Sequence, residues 1–272
     1  MKGCVLIIAG SDSGGGAGIQ ADIKSVTALG GFAATAITAL TAQNTLGVQD
    51  VFPVDIDFIL TQMRVVLDDI GADSLKTGML HSAEVIEAVC TVIEHEGAAI
   101  PLVVDPVMVA KGGASLLDID SVATLRDRLL PLAAVITPNI PEAEEILGAP
   151  GSISTVADMK AAAEALKAMG PGAVLVKGGH MQGDALSDVL LDDRGFHIFE
   201  TQRIDTRHTH GTGCTLASSI ATGIAQGMDL PDAVGRAQAY VVAAIKGAPG
   251  FGAGHGPIDH GHTVGEFLVP RP

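Results

Sequence analysis

The sequence predicts an α/β fold in which a mainly parallel β-sheet is covered by helices. Short apolar segments alternate with segments of helical periodicity, 10–15 residues long, through most of the chain. That alternation is the pattern of successive β-α units. At 272 residues the chain has the length of one large α/β domain or two small ones, and it carries no evident repeat or linker. We therefore expect a single domain over residues 1–272.

The predicted strands are the short apolar runs. Residues 5–9 are continuously apolar, which is typical of a strand buried on both faces, so we interpret this run as a strand rather than a signal peptide. Segments 185–191 and 195–202 flank a polar turn and predict an antiparallel hairpin. Residues 43–50 are polar and predict an irregular connection. The other strands are expected at 32–40, 74–79, 102–104, 134–136 and 173–176.

The predicted helices carry apolar residues at three- and four-residue spacing, which places them on one face. Ser82 and either Ser154 or Thr155 are the expected N-caps of two of them. The helices are expected at 19–29, 55–67, 82–96, 118–129, 141–147, 155–169, 214–227 and 230–247. The tail from Ala248 is rich in Gly, Pro and His, and predicts coil.

Composition and charge exclude several classes of partner. The formal net charge of -15 opposes binding to nucleic acid or to an anionic membrane surface. No apolar run approaches the ~20 residues that span a bilayer. The three cysteines, at positions 4, 90 and 214, are far apart and form no CxxC pair. That spacing favours a reducing, cytoplasmic compartment, and Cys90 lies on an apolar helical stripe that predicts a core position.

The most informative stretch is the turn at residues 211–214, Gly-Thr-Gly-Cys, which we call the anion turn. A glycine-rich turn that leads into a helix leaves backbone N–H groups without intrahelical partners. Together with the positive end of the helix dipole, these groups can bind an anion. Cys214 lies at the helix start, where a thiol pKa is ordinarily lowered. On these residues alone, the alternative is a connecting turn with a small buried cysteine.

Polar residues follow other predicted strands, at the sheet edge where ligands bind in open α/β sheets. Asp105 and Glu142 offer oxygen ligands of the kind that Mg²⁺ uses together with nucleotide phosphates. Asn139 lies three residues before Glu142, and Lys177 is placed to meet a phosphate. Each also has an ordinary alternative, such as first-turn charge on a helix or a lysine that extends to solvent.

Asp22 shares one face of its predicted helix with Ile19 and Val26. A carboxylate on an inward face needs a partner. Asp22 could accept hydrogen bonds from ligand amino or hydroxyl groups, or it could lie at the boundary of the helix and face solvent.

Several familiar sites are not supported. The glycines at 14–18 lack the Gly-Lys-Ser/Thr of a P-loop and the spacing of a dinucleotide site, so a loop that closes over a small ligand, or merely a flexible turn, fits better. The pairs at His208/His210 and His260/His262 lack further zinc ligands, so we expect exposed loop histidines. No G-x-S-x-G elbow of a serine hydrolase occurs.

Taken together, these stretches resemble the bacterial hydroxymethylpyrimidine/phosphomethylpyrimidine kinases of thiamine synthesis, within the ribokinase-like superfamily. The motifs occur in order along nearly the whole chain. They are AGSDSGGGAGIQAD at 9–22, TAQN at 41–44, KTGM at 76–79, DPVM at 105–108, TPN at 137–139, EA at 142–143, VKGGH at 176–180 and THGTGC at 209–214. The departure is the tail at 255–262, where members often carry Asn and an aromatic residue. We expect this tail to take no part in the chemistry.

The resemblance implies a three-layer α/β/α sandwich and a kinase that uses ATP and Mg²⁺. The implied substrate is 4-amino-5-hydroxymethyl-2-methylpyrimidine, phosphorylated to the monophosphate and then the diphosphate. The resemblance also implies a homodimer and a lid around 111–113. In the implied site, Gly211, Thr212 and Gly213 form an anion hole. Cys214 is the base, where most of the superfamily carries Asp. The implied substrate-binding residues are Gly10, Ala17, Asp22, Gln43, Met79 and Val107. Asp105 and Glu142 organise the metal, and Asn139 and Lys177 face ATP.

Two other functions stay open from the sequence. A pyridoxine or pyridoxal kinase of the same branch acts on a similar hydroxymethyl heteroaromatic compound. A non-catalytic, pyrimidine-binding regulatory protein could share the fold, although the joint presence of Cys214, Asp105 and Lys177 argues against it.

Overall fold

The protein is described here from a computed structural model that covers residues 2–108, 121–181 and 183–265. Within these residues, nine strands form one sheet in the order β3-β2-β1-β4-β5-β6-β7-β8-β9. The strands are β1 Cys4–Asp12, β2 Phe32–Asn44, β3 Gly47–Pro53, β4 Ser74–Thr77, β5 Leu102–Val104, β6 Val135–Ile136, β7 Val174–Val176, β8 Ala185–Asp192 and β9 Gly195–Gln202. The α-helices are α1 Gly18–Ala28, α2 Ile56–Asp69, α3 Ala83–Glu96, α4 Ser121–Thr124, α5 Ile140–Leu147, α6 Val156–Lys167, α7 Thr212–Ala225 and α8 Leu230–Lys246.

The sheet is mainly parallel, as predicted. Strands β2, β1, β4, β5, β6 and β7 run parallel. The hairpin of β8 and β9 continues the sheet in antiparallel fashion, which confirms the predicted hairpin. The expectation of an irregular connection at 43–50 is wrong, because β2 extends to Asn44 and pairs antiparallel with β3. The exposed edge strand β3 lacks the apolar alternation that identifies a strand in sequence.

Two apolar clusters cover the two faces of the sheet. Along β1 the side chains alternate: Leu6 and Ile8 belong to one cluster, and Val5 and Ile7 to the other. The first cluster includes buried residues of α2, α3, α5 and α6, and the second includes those of α1, α7 and α8. The arrangement is therefore a three-layer α/β/α sandwich, and the predicted core position of Cys90 is confirmed.

Helix ends follow the predicted signals. Ser82 caps α3, and Thr155 caps α6, where the Asp158 carboxylate in return accepts a hydrogen bond from the Thr155 N–H. The helix expected at 118–129 is described only from Ser121, where one α-helical turn continues as a π-helix over Leu125–Leu129. The expected lid at 111–113 lies outside the described residues. No helix in the described part of the chain is long and apolar enough to cross a membrane.

Candidate active site

The parallel strands end at a cavity of about 840 Å³. Its wall contains almost all of the residues that the sequence nominated, which confirms that the ends of the strands bring them together. They are Gly10, Ala17, Gln43, Met79, Asp105, Val107, Asn139, Glu142, Lys177, Gly211, Thr212, Gly213 and Cys214. Asp22 is the exception.

The anion turn forms the N-terminus of α7. Gly211 is the N-cap residue and has a left-handed φ of 83°, and no side chain caps the helix there. Within the described residues, the backbone N–H groups of Gly213 and Cys214 have no hydrogen-bond acceptor. Both residues line the cavity. The turn thus offers unpaired donors at the positive end of a helix, which is the arrangement that binds an anion.

Gly211 is also packed tightly against the loop that follows β1, residues 13–17, which we call the glycine loop. A Cβ atom on Gly211 would lie 1.8 Å from the carbonyl oxygen of Gly16. Side chains cannot approach that closely, so the two segments would have to separate. The absence of a side chain at Gly211 therefore permits contact between the glycine loop and the anion turn.

We expect Gly211→Ala to destabilise the protein by more than the ~1–2 kcal/mol that a left-handed alanine costs, because the clash adds to the strain. Gly148→Ala is the matched control. Gly148 has φ +65° and no atoms near the position of its Cβ. Urea unfolding of the two variants measures the difference. Equal losses of stability in the two variants would show that the close contact with Gly16 adds nothing to the cost of a side chain at Gly211.

The environment of Cys214 contradicts the expected low thiol pKa. Burial raises the pKa of Cys214 to about 12. The ammonium of Lys76 and a backbone hydrogen bond from Gly18 lower the pKa, while Asp22 and Asp105 raise it further. The helix dipole and Lys76 therefore do not overcome desolvation. Cys214 is a thiol, not a thiolate, near neutral pH.

Asp22 does not line the cavity, and its assignment as a substrate-binding residue stays a prediction. Its side chain is fully buried, on the inward helix face that the sequence predicted. Both carboxylate oxygens accept hydrogen bonds from Lys76 Nζ at 3.0 Å, and Ser218 Oγ donates to one of them at 2.6 Å. The partner that a buried carboxylate requires is thus another side chain. The pair also raises the pKa of Lys76 against the effect of burial, so that lysine stays charged.

A second charged cluster lies at the ends of β5 and β7. Lys177 Nζ donates to Asp105 Oδ1 at 3.1 Å and lies 3.9 Å from Glu142 Oε2. Burial lowers the pKa of Lys177, but Asp105 and Glu142 outweigh burial and raise it. Since Lys177, Asp105 and Glu142 all border the cavity, one ammonium group and two carboxyl groups are available to a bound ligand.

The position of Glu142 is fixed by a capping box at the start of α5. The Asn139 side chain accepts from the Glu142 N–H at 2.9 Å, and Glu142 Oε2 accepts from the Asn139 N–H at 2.8 Å. Burial raises the pKa of Glu142 to about 7, partly offset by Lys177. A cation placed beside Glu142 would favour its ionised form. Asn139 and Glu142 therefore act as one rigid unit at the edge of the cavity.

Asp12 and His210 link the two glycine-containing segments. His210 Nε2 lies 2.8 Å from Asp12 Oδ2, and both residues are buried. Asp12 also accepts from the N–H groups of Gly14, Gly16 and Ala17, so it holds the glycine loop. Burial raises the pKa of Asp12, but the bond from His210 and those from the loop outweigh it and lower that pKa. The expectation that His210 is an exposed loop histidine is wrong.

No role for Asp12, Lys76 or His210 follows from the sequence, although all three lie inside the motifs that carry the family resemblance. One signal was available for Lys76, which stands among buried residues in β4, where a charged side chain requires a partner. No local signal pairs Asp12 with His210, because they are 198 positions apart. Within the described residues, no cluster of three or more His, Cys, Asp or Glu is arranged to hold a metal ion.

The fold and the site together define a class of protein. A three-layer α/β/α sandwich that joins an anion-binding helix start to a cluster of lysine and carboxylates is a small-molecule kinase of the ribokinase-like type. The chain belongs to the phosphomethylpyrimidine kinase family, whose model matches residues 12–259.

Individual relatives agree with this membership. A hydroxymethylpyrimidine/phosphomethylpyrimidine kinase of Streptomyces coelicolor is 47% identical over 262 residues, which cover 96% of each chain. The thiamine biosynthesis bifunctional protein ThiED of Geobacter sulfurreducens is 51% identical over 259 residues, 95% of this chain, and the chain spans 52% of that protein's length. Among solved structures, an ADP complex of Bacillus subtilis pyridoxal kinase has a TM-score of 0.88 at 37% identity, covering 96% of this chain and 98% of that one.

Proposed function

We propose that this chain phosphorylates 4-amino-5-hydroxymethyl-2-methylpyrimidine with ATP, and then phosphorylates the resulting monophosphate to the diphosphate. The observation that carries the proposal is a single cavity, in a chain of this family, in which the anion turn lies beside Lys177, Asp105 and Glu142. Unpaired N–H groups and a cation are the features that phosphoryl transfer requires.

The order of the strands supports one placement of the two substrates. Gly10 and Gln43 lie in the last residues of β1 and β2, and Met79 lies two residues after β4. These three strands are neighbours in one half of the sheet, and we place the pyrimidine at their ends. The part of the cavity at the other half of the sheet is lined by Lys177, the β8–β9 hairpin and α8. There, Val241 and Ile245 offer an apolar surface for the base of ATP. The N-terminus of α7 lies between them, since α7 packs against β1, β4 and β5.

In the proposed transfer, the hydroxymethyl oxygen forms a bond to the γ-phosphorus and the bond from that phosphorus to the β-phosphate oxygen breaks. Cys214 accepts the hydroxyl proton, and the N–H groups of the anion turn meet charge on the transferred phosphoryl group. Lys177 offsets charge on the phosphates. Because burial raises the pKa of Cys214 to about 12, the thiol must release its own proton to solvent before it can act as the base, and the ammonium of Lys76 is the nearby cation that favours the thiolate.

The donor set also fits a magnesium ion. Mg²⁺ that is bound with nucleotide phosphates uses one or two carboxylates, and water or phosphate oxygens complete its shell. Asp105 and Glu142 supply two carboxylates at the cavity wall. The ion would offset negative charge on the phosphates. Asn139 would orient Glu142 through the capping box.

The competing activity is a pyridoxal kinase, which the structural likeness to the Bacillus subtilis enzyme brings into view. Sequence identity favours the pyrimidine kinases, at 47% and 51%, over that pyridoxal kinase at 37%. We expect kcat/KM for the pyrimidine alcohol to exceed that for pyridoxine. Steady-state assays of both alcohols with MgATP measure the ratio, and efficient turnover of pyridoxine alone would assign the competing activity.

The proposed assembly is a homodimer and the proposed compartment is the cytoplasm. Large apolar side chains are exposed near the sheet edge, among them Leu46 and Phe52 on and beside β3 and Phe58 on α2. Exposed apolar residues grouped in this way are typical of a surface that another chain covers.

A further inference from the structure

We propose that the C-terminal segment 254–260, which we call the strap, positions the anion turn for phosphoryl transfer, and that His260 does so by its hydrogen bond to Thr215. The inference rests on the proposed function, because it assigns a role at the same site. It replaces the expectation that the histidine-rich tail takes no part in the chemistry.

The strap runs past the cavity and forms hydrogen bonds with several segments around it. The N–H of His255 donates to the carbonyl oxygen of Thr45, in the turn between β2 and β3, at 2.8 Å. The N–H of His210, directly before the anion turn, donates to the carbonyl oxygen of Gly256 at 3.1 Å. Pro257 is the bridge partner of His210 and lies against Gly16 of the glycine loop. The strap therefore contacts three loops at the edge of the cavity.

His260 is the residue of the strap that reaches the first turn of α7. Its Nε2 lies 3.0 Å from Thr215 Oγ1, and both side chains are buried. Thr215 directly follows Cys214, so this bond fixes the turn of helix that presents the unpaired N–H groups. Other elements anchor His260 itself: Tyr240 Oη donates to its carbonyl oxygen at 2.6 Å, and the N–H of Asp259 donates to Ala244 of α8 at 2.9 Å.

The protonation state of His260 allows its hydrogen bond to Thr215 to persist near neutral pH. Burial lowers the pKa of His260 to about 4, with a further lowering by Lys24 and a partial offset by Asp259. The ring is therefore neutral near pH 7, and Nε2 can accept from the Thr215 hydroxyl. Neither His260 nor Thr215 lines the cavity, so both are positioning residues rather than catalytic ones.

The test compares His260→Ala and Thr215→Val with the wild-type protein. Misplacement of groups that stabilise a transition state lowers kcat, so we expect a loss of between about 10- and 100-fold in kcat with little change in KM for the alcohol. Because both variants remove the same bond, the double variant should be no slower than the slower single one. His260→Gln and Thr215→Ser keep an acceptor and a donor, and should restore most of the rate.

His262→Ala is the matched control. His262 lies two positions after His260, outside the strap, and its ring packs on Tyr240 at a centroid distance of 4.6 Å. All assays run well below each variant's Tm. Hydrogen exchange of amides 212–216 in the empty protein adds a readout that does not depend on activity. We expect faster exchange there in His260→Ala and Thr215→Val than in His262→Ala.

Two outcomes would overturn the proposal: wild-type kcat in Thr215→Val, or an equal loss in His262→Ala. Should His260→Ala fail to fold, the comparison of Thr215→Val with Thr215→Ser decides the matter alone. An inactive wild-type protein would instead refute the proposed function, and the exchange measurement would still report on the strap.

Discussion

Replacement of Cys214 by serine is expected to lower kcat by about 10²–10⁴-fold, the loss that follows removal of a general base. Serine keeps the size of the side chain but is a far weaker acid than cysteine. It therefore does not form the anion that accepts the proton of the attacking hydroxyl. The variant should fold, and it should bind the alcohol with nearly unchanged KM. Steady-state kinetics with the pyrimidine alcohol measure both constants. A kcat close to that of the wild type would leave the anion turn as an anion hole without a base.

The raised pKa of Cys214 makes a second measurement informative. A thiolate is the species that iodoacetamide alkylates. With a pKa of about 12, Cys214 in the empty protein should react slowly at pH 7, and its rate should rise about tenfold per pH unit up to pH 9. Mass spectrometry after alkylation locates the modified residue. Fast modification at pH 7, independent of pH, would restore the low pKa that the position at a helix start suggests.

Removal of the Asp22 carboxylate is expected to lower the free energy of unfolding substantially. Asp22→Ala leaves the ammonium of Lys76 buried without a partner, and breaking such a pair costs about 3–5 kcal/mol. Urea unfolding should therefore show a strongly lowered midpoint. Asp193→Ala provides the matched control, since Asp193 is 91% exposed and pairs with Lys167 at 2.9 Å. An exposed pair contributes only about 0–1 kcal/mol.

The same variant separates the two roles considered for Asp22. If the carboxylate acts through Lys76, replacing both partners with Asp22→Leu and Lys76→Met should recover stability lost in Asp22→Ala, because no unpaired charge remains. If Asp22→Ala keeps wild-type stability and only raises KM for the alcohol, Asp22 contacts the ligand and the burial argument fails.

The sequence predicted the fold and most of the site for a physical reason. Apolar runs identify buried parallel strands, and parallel strands deliver the residues after them to a common edge. Asp105, Lys177 and Gly211 could thus be placed together without coordinates. The caps Ser82 and Thr155 were predictable because capping depends on residues close in sequence.

What escaped prediction depends on contacts between distant residues or on burial. Lys76 and Asp22 are 54 positions apart, so the sequence could show that Asp22 needs a partner but not which one. The thiol pKa of Cys214 was misjudged because helix position is a local property, whereas desolvation is set by the surrounding fold. Burial of His210 and His260 likewise follows from the path of the strap, in a tail whose described residues, 248–265, form no helix or strand.

The most direct test of the account is the identity of the products. The wild-type protein is incubated with excess ATP, Mg²⁺ and 4-amino-5-hydroxymethyl-2-methylpyrimidine, and the products are followed in time by mass spectrometry. We predict that the monophosphate forms first and is then converted to the diphosphate. A parallel incubation that starts from the monophosphate should yield the diphosphate without a lag. No phosphorylated pyrimidine, together with phosphorylation of pyridoxine under the same conditions, would contradict the account.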